Sequence, residues 1–465
     1  MVRVTVIPLG RPSGSALALL TAACIYLAVP SAAGAAAGAS EGGVQAPTNT
    51  RPAPASRSTK PATEPATKSV AKPAKRPATK SAGTPPKEPA KRSVGPPTKP
   101  ARKPAKRPAR RPKRPAKSRR STRETLHGNP ARGILAFEAM QQSYFVSGAD
   151  LYRGEPYAFL WPFSQTLAAT VTLAQIPSQR ARFEQELHVR LAGLSHYWQP
   201  TTSPPSYASA AVPPLGPGGD SFYDDNEWVG LELVRAYELQ PEPQLLSQAQ
   251  QIMNFVIAGW QSQPELPCAG GVPFSTAANN TDRNTITDGP GAELGVRLYQ
   301  LTGNSAYLQF AERAYEWVRQ CLLESNGLYA DHIETSGTID HSLWSYNQGV
   351  MIGAGVLLYQ ATQDGMYLAQ ARHTAAAALT HFTLQRLDSE VPFFVSIYMR
   401  NLLYLDSVTH DPPGAKLAQE YVNHAWQHRV GGVFLFGSPP GADLLGQAAI
   451  VQVYGLLSTP PKTYF

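Results

Sequence analysis

Apolar positions recur at helical spacing through most of the chain, and three stretches share one layout. They are RAYELQPEPQLLSQAQQIMNFVI, RLYQLTGNSAYLQFAERAYEWVR and LLYQATQDGMYLAQARHTAAAAL. Each has an apolar helix ending in tyrosine, a polar turn, and a second helix of Leu/Ala periodicity. The tyrosines, Tyr237, Tyr299 and Tyr359, are 62 and 60 residues apart, a nearly fixed period that marks a repeat architecture. A weaker copy places Tyr404 before a turn at Asp411-Pro412-Pro413-Gly414. An earlier one runs LWPFSQTLAATVTLA, breaks at Ile176-Pro177 and resumes through Leu194, and HGNPARGILAFEAMQQSYF opens the series. Strand signals are few. The pattern predicts an all-α domain over 124–465, six helical hairpins closed into an (α/α)6 toroid.

A hairpin ring has a chemical consequence. All first helices run the same way, so their N-termini gather on one rim. FYDDNEW, RNTITDGP, LWSYNQG and FFVSIYMR each lie just before such a helix. Segments a repeat period apart therefore meet at one cleft, as loops above a rigid scaffold commonly do.

Charge divides the chain in two. Residues 51–123 carry 24 Lys+Arg against 2 acids, whereas 124–465 carry 16 against 30, so the overall +9 describes neither part. Residues 36–123 repeat Lys-Pro-Ala and Arg-Pro-Ala with too little apolar side chain for a core. They are expected to form a disordered, extended tether with much polyproline II character. Such an arm serves as a spacer, as a grip on anionic envelope polymers, or as both. Ahead of it, Arg3, Arg11, the apolar stretch from Ser15 to Val29 and Ala33-Gly34-Ala35 read as a signal peptide over 1–35, or a membrane anchor. Cleavage as a lipoprotein at Cys24 is disfavoured by Thr21. Secretion or envelope association follows, and with it no expected nucleic-acid partner. A monomer is expected. Cys268 and Cys321 would remain after signal removal, and nothing in the sequence brings their Cα atoms together, so a bridge is not expected. No metal-ligand spacing is present among the histidines, including His332 and His341, and no cofactor is implied.

The candidate chemistry lies at Asp224-Asp225, opening the helix of DDNEWVGLELVRAYEL. Acids in a first helical turn ordinarily cap the helix and favour its dipole. Here aromatics flank the pair (Tyr223, Trp228), other polar-aromatic segments share the rim, and no nucleotide motif offers another chemistry. Neighbouring helical carboxyl groups splay apart far enough to flank a glycosidic bond at the spacing of a retaining mechanism. Two such groups resist ionising together, so one stays protonated as the acid. Trp344 and Tyr346 are candidates for stacking on sugar rings. Asn347, Gln348, Asn284 and Asp288 are candidates for hydroxyl contacts, or alternatively for helix capping. Arg400 is either a buried partner for an acid or a hydroxyl contact. Glu227 and Glu232 are assigned to solvated or inter-helix faces.

These segments, in order, resemble glycoside hydrolase family 76, the endo-α-1,6-mannanase family, from Leu126 to the C-terminus. Tyr223–Trp228 (YDDNEW), Cys268–Phe274 (CAGGVPF), Asn284–Pro290 (NTITDGP), Ser345–Gly349 (SYNQG) and Phe394–Arg400 (FVSIYMR) carry the resemblance. It implies an (α/α)6 fold, a retaining mechanism, Asp224 as nucleophile and Asp225 as general acid/base. It also implies an α-mannan or related polysaccharide as substrate, with Phe274 among the sugar contacts. The chain departs from the family at Gly270-Gly271-Val272-Pro273-Phe274, where an aromatic commonly follows Gly-Gly-Ile, and at Phe394-Val395-Ser396 in place of Phe-Lys-Gly. Other readings are a transglycosylase or a non-catalytic polysaccharide-binding toroid. A sugar epimerase would want paired rim histidines, which are absent from the rim segments.

Overall fold

The computed structural model describes residues 127–430, 432–434 and 443–465. The signal peptide expected over 1–35 and the basic arm over 36–123 lie outside the described residues. Thirteen α-helices account for most of the described chain, joined by loops that carry short strand pairs. Residues 127–199 contain α1 (Asn129–Tyr144), β1 (Phe145–Val146), β2 (Leu151–Tyr152), α2 (Leu160–Ala174), α3 (Arg180–Leu194) and β3 (Trp198–Gln199). There follow β4 (Ser206–Tyr207), α4 (Tyr223–Leu239), α5 (Pro243–Ala258), β5 (Asp282–Asn284), α6 (Thr285–Thr302) and α7 (Ser305–Leu322). Then come β6 (His332–Glu334), β7 (Ile339–Asp340), α8 (Ser345–Thr362), α9 (Gly365–His381), α10 (Leu384–Ser389) and α11 (Pro392–Thr409). The last elements are α12 (Pro413–Gln427), β8 (Arg429–Val430), β9 (Val433–Phe434) and α13 (Leu444–Leu456).

Helices α2, α4, α6, α8, α11 and α13 form an inner ring, each packed on the next, and α13 packs on both α11 and α2 to close it. The outer partners α3, α5, α7, α9 and α12 follow their inner helices directly, as the period predicts. The sixth pair differs from the expected series: the inner helix α13 pairs with α1, from the other end of the domain. Closure is therefore long-range, although every other hairpin is local.

The two rings bury different amounts of surface. On α4, every residue from Tyr223 to Ala236 is buried, whereas α9 buries only Ala371, Thr374, Ala375 and Ala378. An inner helix contacts neighbours on all sides, so its polar residues must find partners inside the ring. Arg235 and Arg400 accordingly both donate to Glu232, at 2.7 and 2.9 Å. Arg235 also reaches Thr172 and Gln175, and Arg400 reaches Gln452.

The α6–α7 and α8–α9 turns show how a local sequence repeats a structure. Gly303 and Gln363 end their helices in the left-handed conformation, with φ of 72° and 61°. Their N–H groups donate to the carbonyls of Tyr299 and Tyr359, the tyrosines that mark the period. Thr302 and Thr362 then accept from the N–H of Asn304 and Asp364, which cap the following helix.

Candidate active site

Phe222, extended, leads into α4, and the N–H of Tyr223 donates to the carbonyl of Phe274. Asp224 and Asp225 lie in the first turn and are only 4% and 7% exposed. Burial penalises their charge, so both carboxyls are raised above the usual range. For Asp224 the backbone N–H groups of the first turn oppose that rise, while the fields of Asp282 and Asp331 add to it, leaving it at about 7. Asp225 is raised well above the usual carboxylate range by burial, with the charge of Asp224 adding to it. Two buried carboxyls this close do not ionise together readily, and of the two only Asp224 has backbone N–H groups that favour its charged form.

The neighbouring residues come from a small sheet. Strands β5, β6 and β7 pair antiparallel, with Asn284 opposite His332 and His332 opposite Asp340. This register brings Asp282, Asn284 and Asp331 to the mouth of α6. Asp331 is fully buried, accepting from Asn347 Nδ2 at 2.9 Å and lying 2.9 Å from His332 Nδ1. That contact is the leading cause of the raised His332 pKa, which its partial burial opposes. Asp331 and His332 lacked a signal in the sequence, because only tertiary packing brings Asp331 close enough to act on Asp224 and His332 against Asp331. Asp331, His332 and Asp340 each offer an atom within 4.8 Å of the others, yet both oxygens of Asp331 already have protein partners.

Several candidate contacts are engaged by the scaffold. Gln348 accepts from the N–H of Tyr329 and donates to its carbonyl, so its amide is a backbone clamp rather than a free sugar contact. Asn226 clamps Tyr207 in the same way, and Gln447 clamps Phe434. Asp288 accepts from Val272 N–H at 3.1 Å. Each of these four residues occupies the fourth position of its inner helix. A side chain there reaches back over the first turn and pins the incoming loop. The repeat therefore extends to the rim, as a device the sequence reading did not identify. Arg400 lies more than two turns below the start of α11, bound to Glu232 and Gln452; of its two readings, the geometry supports the partner for an acid. Glu227 and Glu232 are both buried between helices, with no solvated face.

The aromatics divide as well. Tyr223 stacks on Phe255 at 4.3 Å, the partly exposed Phe274 meets Phe222 edge-on at 5.2 Å, and Trp228 is buried, so all three pack around the start of α4. Tyr346 stacks on Phe394 at 3.7 Å, and Trp161 and Trp344 lie against the same ring. Trp161 and Trp344 remain partly exposed on the rim.

The CAGGVPF loop is fastened from several sides. Cys268 is bonded to Cys321 on α7, with Cα atoms 6.1 Å apart, against the sequence expectation. Arg283 donates to the carbonyls of Pro267, Cys268 and Gly270, and Trp317 Nε1 to that of Cys268. A Cβ on Gly271 would stand 2.6 Å from the Trp317 ring. Packing thus brings together two cysteines 53 residues apart. The loop's far end carries the Phe274 carbonyl that receives Tyr223, so its fastening positions the aspartates.

Residues 152–401 match the model of glycosyl hydrolase family 76. Mannan endo-1,6-alpha-mannosidase DCW1 of Candida glabrata is 27% identical over 169 residues, 33% of this chain and 37% of that protein. The Saccharomyces cerevisiae DCW1 is 27% identical over 185 residues, 36% of this chain and 40% of that protein. The chain thus spans about two-fifths of these curated relatives. A family 76 mannosidase from Bacteroides thetaiotaomicron shares the fold with a TM-score of 0.63 and 22% identity, over 71% of this chain and 98% of that one. The α-1,6-mannanase of Salegentibacter sp. does so with a TM-score of 0.60 and 21% identity, over 71% and 99%. With the family model covering more than half of its length, and the same helical toroid in its solved neighbours, the chain belongs to glycosyl hydrolase family 76.

Proposed function

We propose that the protein is a retaining glycoside hydrolase that cleaves α-1,6-mannan or a related α-mannoside polymer of cell envelopes. The observation that carries this reading is the pair Asp224-Asp225, buried together but in unequal electrostatic surroundings. Asp224, as carboxylate, attacks the anomeric carbon while Asp225 gives its proton to the departing glycosidic oxygen. The leaving chain departs with that proton, and a covalent glycosyl-enzyme ester remains on Asp224. Asp225, now ionised, takes a proton from water, whose oxygen attacks the same carbon and releases Asp224. Two inversions restore the α configuration. Asn347, held by Asp331, and the rim aromatics Trp161 and Trp344 are suited to orient the sugar. A Salegentibacter mannanase variant altered at two adjacent aspartates is described as inactive and bound to α-1,6-mannotriose, which supports the assignment by analogy.

The basic arm and the export signal extend the proposal to an enzyme secreted or held at the envelope, with anionic polymers as the arm's partners. Incubation with linear α-1,6-mannan tests the activity, with product size and the anomer formed before mutarotation as readouts. Shorter α-configured products are expected; β-configured first products would remove Asp224 as nucleophile. Products longer than the substrate would show that a sugar acceptor replaces water. Activity should rise as Asp224 ionises around pH 7 and fall at higher pH as Asp225 loses its proton. A maximum near pH 4 would contradict this ordering.

A further inference from the structure

Below the aspartates lies an acid the reaction does not use. Glu227, three residues after Asp224 on α4, is fully buried, and neither carboxyl oxygen has a hydrogen-bond partner among the described residues. The inner oxygen of Asp224, Oδ1, is likewise buried without one. Residues three apart share a helix face about 5–6 Å apart at Cβ. Helical side chains lean toward the N-terminus, so Glu227 leans toward Asp224 rather than away from it. Opposite, α6 supplies Gly291, where a Cβ would stand 2.9 Å from Glu227 Oε1, so the absent side chain makes room for the carboxyl.

The surroundings are uniformly acidic. Asp224 from α4, and Asp288 and Glu293 from α6, all act on Glu227 with the same sign. Tyr223 is the other titratable group facing it on α4, while α2 and α5 contribute no charged residue. No cation is among the groups acting on Glu227: Arg400 is engaged by Glu232 and acts on Glu293, while Arg283 and Arg313 act on Asp288. A buried carboxylate with no cation and no donor is strongly disfavoured, whereas a neutral carboxylic acid has a proton to offer.

We propose that Glu227 is a positioning residue for the nucleophile: as a neutral carboxylic acid it donates a hydrogen bond to Oδ1 of Asp224. The bond holds the carboxylate against rotation and favours its charged form while the outer oxygen attacks. This rests on Asp224 being the nucleophile. It gives a purpose to an acid placed where charge is least tolerated.

Glu227→Gln and Glu227→Met, in the full chain, separate donation from packing. Gln keeps a donor, so turnover of linear α-1,6-mannan stays within about threefold of the unmodified protein and the acid limb of kcat/KM does not move. Met keeps the volume but loses the donor, so kcat/KM falls about tenfold or more and the acid limb moves up by about one pH unit. A Met variant with an unmoved limb, or a Gln variant as impaired as Met, overturns the proposal. Two readouts need no catalysis. Glu227→Gln should raise the melting temperature near pH 7 by about 2 °C or more and leave it unchanged near pH 4, because only above the unfolded carboxyl pKa does the native state hold an extra proton. In the unsubstituted protein labelled at glutamate Cδ, carbon-13 NMR should show a carboxyl still protonated at pH 7 that is lost in the Gln variant. A lower melting temperature at pH 7, or no protonated signal, overturns the proposal. Absence of mannan hydrolysis would instead count against the proposed function, with these two measurements still deciding the state of Glu227.

Discussion

The two ends of the inner helices are built by different rules. At the C-terminal ends of α6 and α8, short turns satisfy their own backbone: Thr302-Gly303-Asn304 and Thr362-Gln363-Asp364 make the same bonds in the same order. At the N-terminal ends, the bonds come from far along the chain: Gln348 reaches Tyr329, Asn226 reaches Tyr207, and Asn347 reaches Asp331. Buried polar atoms without partners concentrate near that second end, in Asp224, Glu227, Asn284, Asp288 and Asn347. One end of the ring satisfies its own backbone and the other leaves buried polar atoms unpaired, the pattern expected where function competes with stability.

The sharpest test of that contrast is at the aspartates. Asp224→Asn and Asp225→Asn should each reduce turnover on the order of 10⁴-fold or more while leaving the toroid folded. Asp225→Asn should at the same time stabilise the protein at neutral pH. Its carboxyl is raised in the native state, so it destabilises the fold as pH climbs above about 3.9 and has no such effect below it. Melting curves at pH 4 and pH 7 check the sign, and a variant less stable at pH 7 would mean that the site is not held at a stability deficit.

Gln348→Ala comes next. It strands the buried N–H and carbonyl of Tyr329, so a loss of about 2–4 kcal/mol by chemical denaturation is expected. Activity should fall too, through the neighbouring Asn347, which distinguishes a rim clamp from a turn.

At the opposite end, Asp364→Ala removes only the cap of α9 and should lower stability by about 1 kcal/mol with mannan turnover unchanged. Smallest of all, Gln363→Gly replaces a left-handed glutamine by the residue found at the equivalent Gly303, and should stabilise by about 0.5–1 kcal/mol. A change in kcat from either substitution would show that the two ends are coupled.

These expectations also separate what could be read early from what could not. Hairpin pairs α2–α3, α4–α5, α6–α7, α8–α9 and α11–α12 follow from apolar periodicity and turn residues, which act over a few residues. The position of Asp224-Asp225 at a helix start was equally legible, since it needs only the local pattern. Gln348, however, carried two readings, a hydroxyl contact or a cap, and Phe274 was implied only by resemblance; their neighbours show a backbone clamp for the one and a ring packed on Phe222 for the other. Arg400 carried two readings until Glu232, 168 residues away, decided between them.

The sequence by itself determined the five local hairpins, the common end at which their first helices start and the place of Asp224-Asp225 in the first turn of α4. These depend on side-chain period and on helix direction, both local properties of the chain. Tertiary structure alone decided the pairing of α13 with α1, the Cys268–Cys321 bridge, the placing of Asp331 and His332, and the burial of Glu227. Each of these depends on which distant segments exclude water from one another, and that is settled only when the ring closes.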